Sequence, residues 1–363
     1  MNTLASWIDG LPAHQAALFG AVIAAIIGAI ANILTGIIRD FAAIAWSDKK
    51  DGQRAANEIF RTYAEPLGSA VTSLYWRLKE ISSRTERSSF LVSVKPLTNF
   101  DEYKLHSTYF RLAAVLGWLR VLQRELSFLR NYGENRVKSI DDAINLFEIA
   151  LADGHNVEIQ RLHGLLKIWQ LAPISDKRTE HQAAVAIERC IEHAIRNTNV
   201  TTVVDLGGTA RASICEDVSN IISTVIGIPH VAQSLLSETE SLAISQMAIR
   251  EAWLYRDWQA SIGDMMIREK KIGNRNFEVL GYGDFETMIF EPSNHQQRSL
   301  QRITALFDNL NMERADPYDA RSAVIQKLLK ATAQIITALA NTPASKSAIA
   351  SNTVIDAKNY LSE

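Results

Sequence analysis

The sequence predicts a mainly α-helical protein, with one N-terminal transmembrane helix followed by an all-α cytoplasmic body of minor β content. Three observations carry this reading. An uncharged apolar run extends from Ala17 to Ile38, apolar residues recur at helical spacing through most of the remaining chain, and strand-like runs are few and short.

The run from Ala17 to Ile38 has 22 residues, with Asn32 and Thr35 its notable polar positions. At ~1.5 Å per residue, a helix of this length covers a hydrocarbon core about 30 Å thick. A cleaved signal peptide is excluded: residues 1–15 carry no Lys or Arg, the run is too long, and Arg39 and Asp40 precede the small residues Ala43 and Ala45. Asp9 is the charge before the run, whereas Arg39, Lys49, Lys50 and Arg54 follow it. Positive charge stays on the cytoplasmic side, so residues 1–16 are expected outside the inner (plasma) membrane and the C-terminal body in the cytoplasm. Trp7 and Trp46 flank the span at interface positions. Within it Gly20, Ala24, Gly28, Asn32 and Gly36 recur every four residues, beside a second row of Ala21, Ala25 and Ala29. Small residues at this spacing let two backbones approach closely, and an amide among them can bond across the contact, so the helix is expected to self-associate.

The expected organisation is a short external segment (1–16), the span with its interfacial extension (17–46), a helical cytoplasmic domain (47–341) with a subdivision near 173, and a loosely ordered tail (342–363) rich in Ser, Ala, Asn and Thr. Leu67, Val71, Leu74, Leu78 and Ile81 form one apolar stripe. Leu105, Leu112, Leu119 and Leu126 repeat every seven residues, which predicts a long helix from Asp101 to Asn131. Further helices are expected near 137–152, 156–171, 176–198, 210–226, 296–310 and 317–341. Ser237 with Glu240 reads as a capping box that opens a long helix running to Glu269. The strand-like runs are Phe90 to Val94, Val200 to Val204 and Phe277 to Leu280.

Lys+Arg number 38 and Asp+Glu 40, a balance unlike that of a dedicated nucleic-acid binder. Charge is nonetheless uneven: Arg77 to Lys138 holds twelve basic and six acidic residues. Internally paired helix faces account for that segment more simply than a nucleic-acid or lipid surface, because no aromatic-basic motif accompanies it. The two cysteines, Cys190 and Cys215, lack zinc spacing and read as reduced thiols.

Several short motifs invite chemistry. Asp205-Leu206-Gly207-Gly208-Thr209, after Val200 to Val204, resembles the first phosphate loop of the sugar-kinase and actin-like ATPase superfamily, but no second phosphate motif follows. The residues themselves predict a helix start capped by Asp205 or Thr209. Val279 to Asp284 resembles the selectivity filter of potassium channels, yet charged flanks replace the spans a filter needs, which leaves a glycine turn. His181, Glu188 and Glu192 share a helical face near Cys190 and His193, without diagnostic metal spacing; His155 and His163 are weaker still. Trp253, Trp258 and Met265 read as the core face of a helix. No catalytic residue, metal ligand or cofactor is assigned.

The stretch Ala252-Trp253-Leu254-Tyr255-Arg256-Asp257-Trp258, with Ile262 to Ile267 and Glu278 to Phe285, is similar to segments of uncharacterised bacterial single-span membrane proteins with a helical cytoplasmic body. The resemblance transfers no functional residue. Together these readings predict an oligomeric membrane-anchored interaction or effector protein, whose body binds a cytoplasmic protein partner or signal. A bacterial antiviral (anti-phage) effector is its sharper form. Two alternatives stay open: a membrane-tethered enzyme holding a nucleotide at Gly207-Gly208, and a membrane-tethered nucleic-acid binder using the Arg77 to Lys138 segment.

Overall fold

The structure, a computed structural model, describes residues 54–363 apart from 56, 84–85, 93–96, 127–134, 153–156, 313–315 and 344. The chain divides into two units, 1–58 with 128–134 and 59–127 with 135–363, and the second is the body. The run from Ala17 to Ile38, with Gly20, Ala24, Gly28, Asn32 and Gly36, lies outside the described residues.

The body is mainly helical. Helix α1 (57–82) turns the expected stripe inward, and Leu67, Val71, Leu74, Leu78 and Ile81 are all fully buried. Helix α2 (Asn99–Leu126) starts where the Thr98 hydroxyl accepts the Asp101 N–H at 3.2 Å, with Asp101 and Glu102 at the positive end of the dipole. Its heptad leucines Leu105, Leu112 and Leu119 are buried, together with Val115 and Leu122. Helices α3 (Asn135–Ala152), α4 (Val157–Ile168), α5 (Lys177–Thr198), α6 (Gly208–Ile226) and α7 (Gln233–Met247) follow. After them come α8 (Arg256–Met266), the hairpin β1 (Ile267–Ile272) and β2 (Arg275–Val279), α9 (Tyr282–Phe290), α10 (Asn294–Phe307), α11 (Arg321–Asn341) and α12 (Ser351–Ser362).

Two cores form. Residues 157–248 build one of their own, in which α4 to α7 bury Leu162, Leu165, Trp169, Ile187, Val218, Ile222 and Ile244. The segments before and after this insertion share the other. At its centre lies α11, which packs on α3 and α12 and buries residues such as Val324, Leu328, Ile335 and Leu339. Among the described residues, α11 is also the one helix long and apolar enough to cross a membrane. Its apolar surface is met by protein, as in a core helix. Helices α2 and α8 approach through glycine: a Cβ on Gly263 would stand 2.9 Å from the Leu116 carbonyl oxygen, and one on Gly117 3.0 Å from Met266 Cβ. Arg120 and Arg124 close this contact on Asp264 at 2.6 and 2.9 Å.

Four expectations are corrected. Ser237 opens no helix; it lies one turn inside α7, its hydroxyl donating to the Gln233 carbonyl at 3.0 Å. The expected helix to Glu269 breaks after Met247 because residues 248–255 bond elsewhere. Arg250 donates its N–H to Tyr318 O at 2.7 Å and accepts from Ala320 N at 2.9 Å, while Leu254 N reaches Leu151 O at 2.9 Å. Tertiary pairing overrides helical periodicity there, and Ile267 onward turns into β1, closed by Gly273 at φ +58°. The runs at Phe90 and Val200 are not strands. Phe90 and Leu91 lie in the 3-10 turn Glu86–Leu91, with residues 93–94 of that run outside the described residues, and the Val200 run leads into the 3-10 turn Val203–Asp205; among the described residues neither has a neighbouring strand to satisfy its backbone. The run from Phe277 does pair, as β2 with β1.

The C-terminal segment is helix α12, which packs on α11, buries Thr353 and Ala357, and is tied to α1 by Asp356, which accepts from Tyr75 Oη and Lys79 Nζ, both at 2.6 Å. Burial pushes the Asp356 carboxyl up, but these two donors outweigh it and hold its pKa below the ordinary value. A depressed folded-state pKa contributes stability above the unfolded value and loses it as pH falls through the folded one. Hydrogen-exchange protection in α12, relative to the intrinsic rate at the same pH, is therefore expected to fall below about pH 4, a dependence that Asp356→Asn should abolish. Identical pH profiles in parent and variant would contradict this docking.

Candidate functional site

An open pocket of about 350 Å³ lies where residues 252–258 meet α10, lined by Ala252, Trp253, Trp258, Arg298, Gln301, Arg302 and Ala305. The sequence of α10 explains its wall. Ser299, Leu300, Ile303, Leu306 and Phe307 face the core, which leaves 298, 301, 302 and 305 on one outward stripe of i, i+3, i+4 and i+7 spacing. A capping box fixes the start of the helix: the Ser293 hydroxyl accepts the Gln296 N–H, and Gln296 Oε1 accepts the Ser293 N–H at 2.9 Å. Its far end is fixed by Arg321, which donates to the carbonyls of Ala305 at 2.9 Å and Asp308 at 2.7 Å while paired with Asp319 at 2.6 Å.

The opposite wall is held by a buried arginine. Arg161 on α4 donates to the carbonyls of Met247 and Ile249 at 3.1 and 2.9 Å, and to Glu188 and Glu251 at 2.6 and 3.1 Å. The other Glu251 oxygen takes the Trp253 indole N–H at 2.6 Å, so Arg161 orients Trp253 through Glu251. Trp258 meets Tyr255 edge-on at 4.9 Å and carries the Arg302 guanidinium over its ring, 4.0 Å from the centroid. Among the described residues, neither Arg298 nor Arg302 has a carboxylate partner. Burial pushes the Glu188 carboxyl up against the opposing pull of Arg161.

This arrangement corrects the reading of the tryptophans. Trp253 and Met265 pack against the core from its rim, but they belong to different elements, and Trp258 faces the pocket beneath Arg302. Arg298, Gln301 and Arg302 were not singled out from the sequence. A signal was there: two arginines four apart, with no acid three or four residues from either, on the polar face of a helix.

The other candidate residues scatter. Glu188 pairs with Arg161, Glu192 with Arg196, His193 with Asn197, and His163 with Glu180; His155 lies outside the described residues. Among the described residues, no three His, Cys, Asp or Glu side chains gather to hold a metal. The start of α6 is capped by Gly207 and not by Asp205 or Thr209: Asp205 instead accepts the Thr201 hydroxyl at 2.9 Å, and Arg211 covers the Leu206 carbonyl at 2.9 Å. Gly281 likewise begins α9, where Arg268 pairs with Asp284 at 3.2 Å, so Val279 to Asp284 is a strand-to-helix junction. In the basic segment, Arg77 and Lys104 meet Glu80, Lys79 meets Asp356, and Arg120 and Arg124 meet Asp264. Much of its charge is thus matched within the body. The chain matches no protein-family model, no curated protein and no solved structure.

Proposed function

We propose that the chain is an oligomeric, membrane-anchored interaction or effector protein. In this reading residues 17–38 span the inner membrane, the body lies in the cytoplasm, and the pocket between Trp258 and α10 engages the partner or signal. The observation that carries it is the pocket's lining of indoles, guanidiniums, one amide and alanines. Such groups grip a ligand, but they supply no general base, acid or nucleophile at neutral pH. The anchor is supported by the uncharged run and by the basic residues that follow it. A bacterial antiviral role is the sharper form of the proposal and rests on the architecture and the resemblance of residues 252–285 to bacterial single-span proteins.

The test is crosslinking mass spectrometry on the full chain in membranes. Contacts to a partner that map to the pocket and vanish in the Arg298→Ala/Arg302→Ala variant support the reading; contacts that persist in the variant contradict it. The anchor is tested in the same preparation. Gly28→Ile keeps the span apolar but holds neighbouring backbones apart, so chain-to-chain crosslinks within the membrane should fall sharply. Asn32→Leu removes one interhelical hydrogen bond, a loss of about 1–2 kcal/mol, and should weaken them modestly. Crosslinking of Gly28→Ile at the parental level would reduce the anchor to a tether.

A further inference from the structure

We infer that the pocket between Trp258 and α10 is a mononucleotide site, in which the indoles meet the base and Arg298 and Arg302 hold the phosphate. The inference rests on the reading of this pocket as the binding site of the body, and names the class of ligand.

The charge pattern asks for an anion. Arg298 and Arg302 occupy successive turns of one face of α10, their Cβ atoms about 5–6 Å apart as i and i+4 neighbours. Like charges at this spacing repel, and no carboxylate lines the pocket to neutralise them. A phosphate monoester, close to a dianion at neutral pH, has the charge and the number of acceptor oxygens to engage both forks. Arg302 is prepared for this. Its guanidinium lies over the Trp258 ring at 4.0 Å, and a guanidinium stacked on a ring keeps its in-plane N–H donors for an acceptor.

The remaining lining asks for a planar ring. Trp253 lines the pocket beside the Arg302–Trp258 stack, and bases stack on aromatic and guanidinium planes irrespective of identity. Trp253 is held in place beforehand, because Glu251 takes its N–H at 2.6 Å and Arg161 in turn binds Glu251 at 3.1 Å. A fixed wall lowers the ordering cost of binding. Gln301, between the two arginines in sequence, carries both a donor and an acceptor for a base edge. The volume of about 350 Å³ sits near the lower end of ordinary ligand pockets, the scale of one nucleotide and not of two joined together.

The experiment titrates AMP, GMP, UMP, adenosine and inorganic phosphate into the full chain in detergent micelles, followed by calorimetry and tryptophan fluorescence. A mononucleotide should bind and quench fluorescence, while adenosine should bind at least about tenfold more weakly for want of the phosphate. Arg298→Ala, at an exposed position where folding is insensitive to it, should weaken nucleotide binding about tenfold, and Arg302→Lys should also weaken it because a point charge replaces the fork. Trp258→Phe should remove much of the quench. The inference is overturned if no mononucleotide binds at millimolar concentration, if adenosine binds as well as AMP, or if the Arg298→Ala/Arg302→Ala variant binds like the parent. Absent nucleotide binding with intact pocket-mapped partner crosslinks overturns the nucleotide assignment alone; absence of both overturns the reading of the pocket as well.

Discussion

Arg321→Met is expected to be among the most destabilising single changes in the body. Arg321 and Asp319 are nearly inaccessible, with side-chain exposures of 2% and 6%, and the guanidinium also closes the carbonyl end of α10 at Ala305 and Asp308. Deleting one member of a buried pair leaves the other charged, desolvated and alone, a cost of about 3–5 kcal/mol. For a domain of this size that lowers the thermal midpoint by roughly 10 °C. The pair itself is a different matter, since apolar replacement of both partners is often close to neutral. Asp319→Leu combined with Arg321→Met should therefore lose less than Arg321→Met alone. Thermal unfolding of the full chain in micelles checks this. A double variant that loses more than the single would show that the carbonyl contacts, and not the stranded carboxylate, dominate.

Arg161→Ala is expected to cost a similar amount and to abolish the pocket along with it. The side chain is 7% exposed and reaches acceptors on α5, at the end of α7 and in residues 249–251, so it joins the inserted core to the segment that carries Trp253. Loss of the guanidinium leaves Glu188 without its cation in a site that already pushes the carboxyl up. The sign follows from that direction. An unpaired, raised carboxyl penalises the folded state most when it is ionised, so the variant should approach the parent in stability as pH falls toward about 5. Arg161→Lys restores the charge but cannot span four acceptors, and should recover part of the stability and little of the pocket. Urea denaturation at two pH values measures the effect. A parent-to-variant gap that widens on acidification would contradict this role for Glu188.

The helices were legible because their cores repeat at 3.6-residue spacing. The stripe of α1 and the heptad leucines of α2 point inward as their positions require, and the expected helices at 137–152, 176–198 and 210–226 recur within a few residues. What escaped was fixed by distant partners. The sequence from Ser237 to Glu269 reads as one helix, yet residues 248–255 bond to 318–320 and 151, contacts that no local pattern encodes. Helix α12 was missed for the opposite reason. Its small, polar composition reads as loose until Tyr75 and Lys79, nearly 280 positions earlier, are seen to take Asp356. The pocket was half legible: the tryptophans stand out in the sequence, but their meaning depends on Arg302, which reaches Trp258 from another helix.

Every part of the proposed function depends on a chain that crosses the membrane once and leaves its body in the cytoplasm. The most direct measurement places reporters active on one side only at Met1 and at Glu363 of the full chain, and reads both in intact cells. The expected result is an external signal from Met1 and a cytoplasmic signal from Glu363, as the basic residues Arg39, Lys49, Lys50 and Arg54 require. A Glu363 reporter active outside the cell membrane, or a full chain recovered without detergent in the soluble fraction, would contradict it.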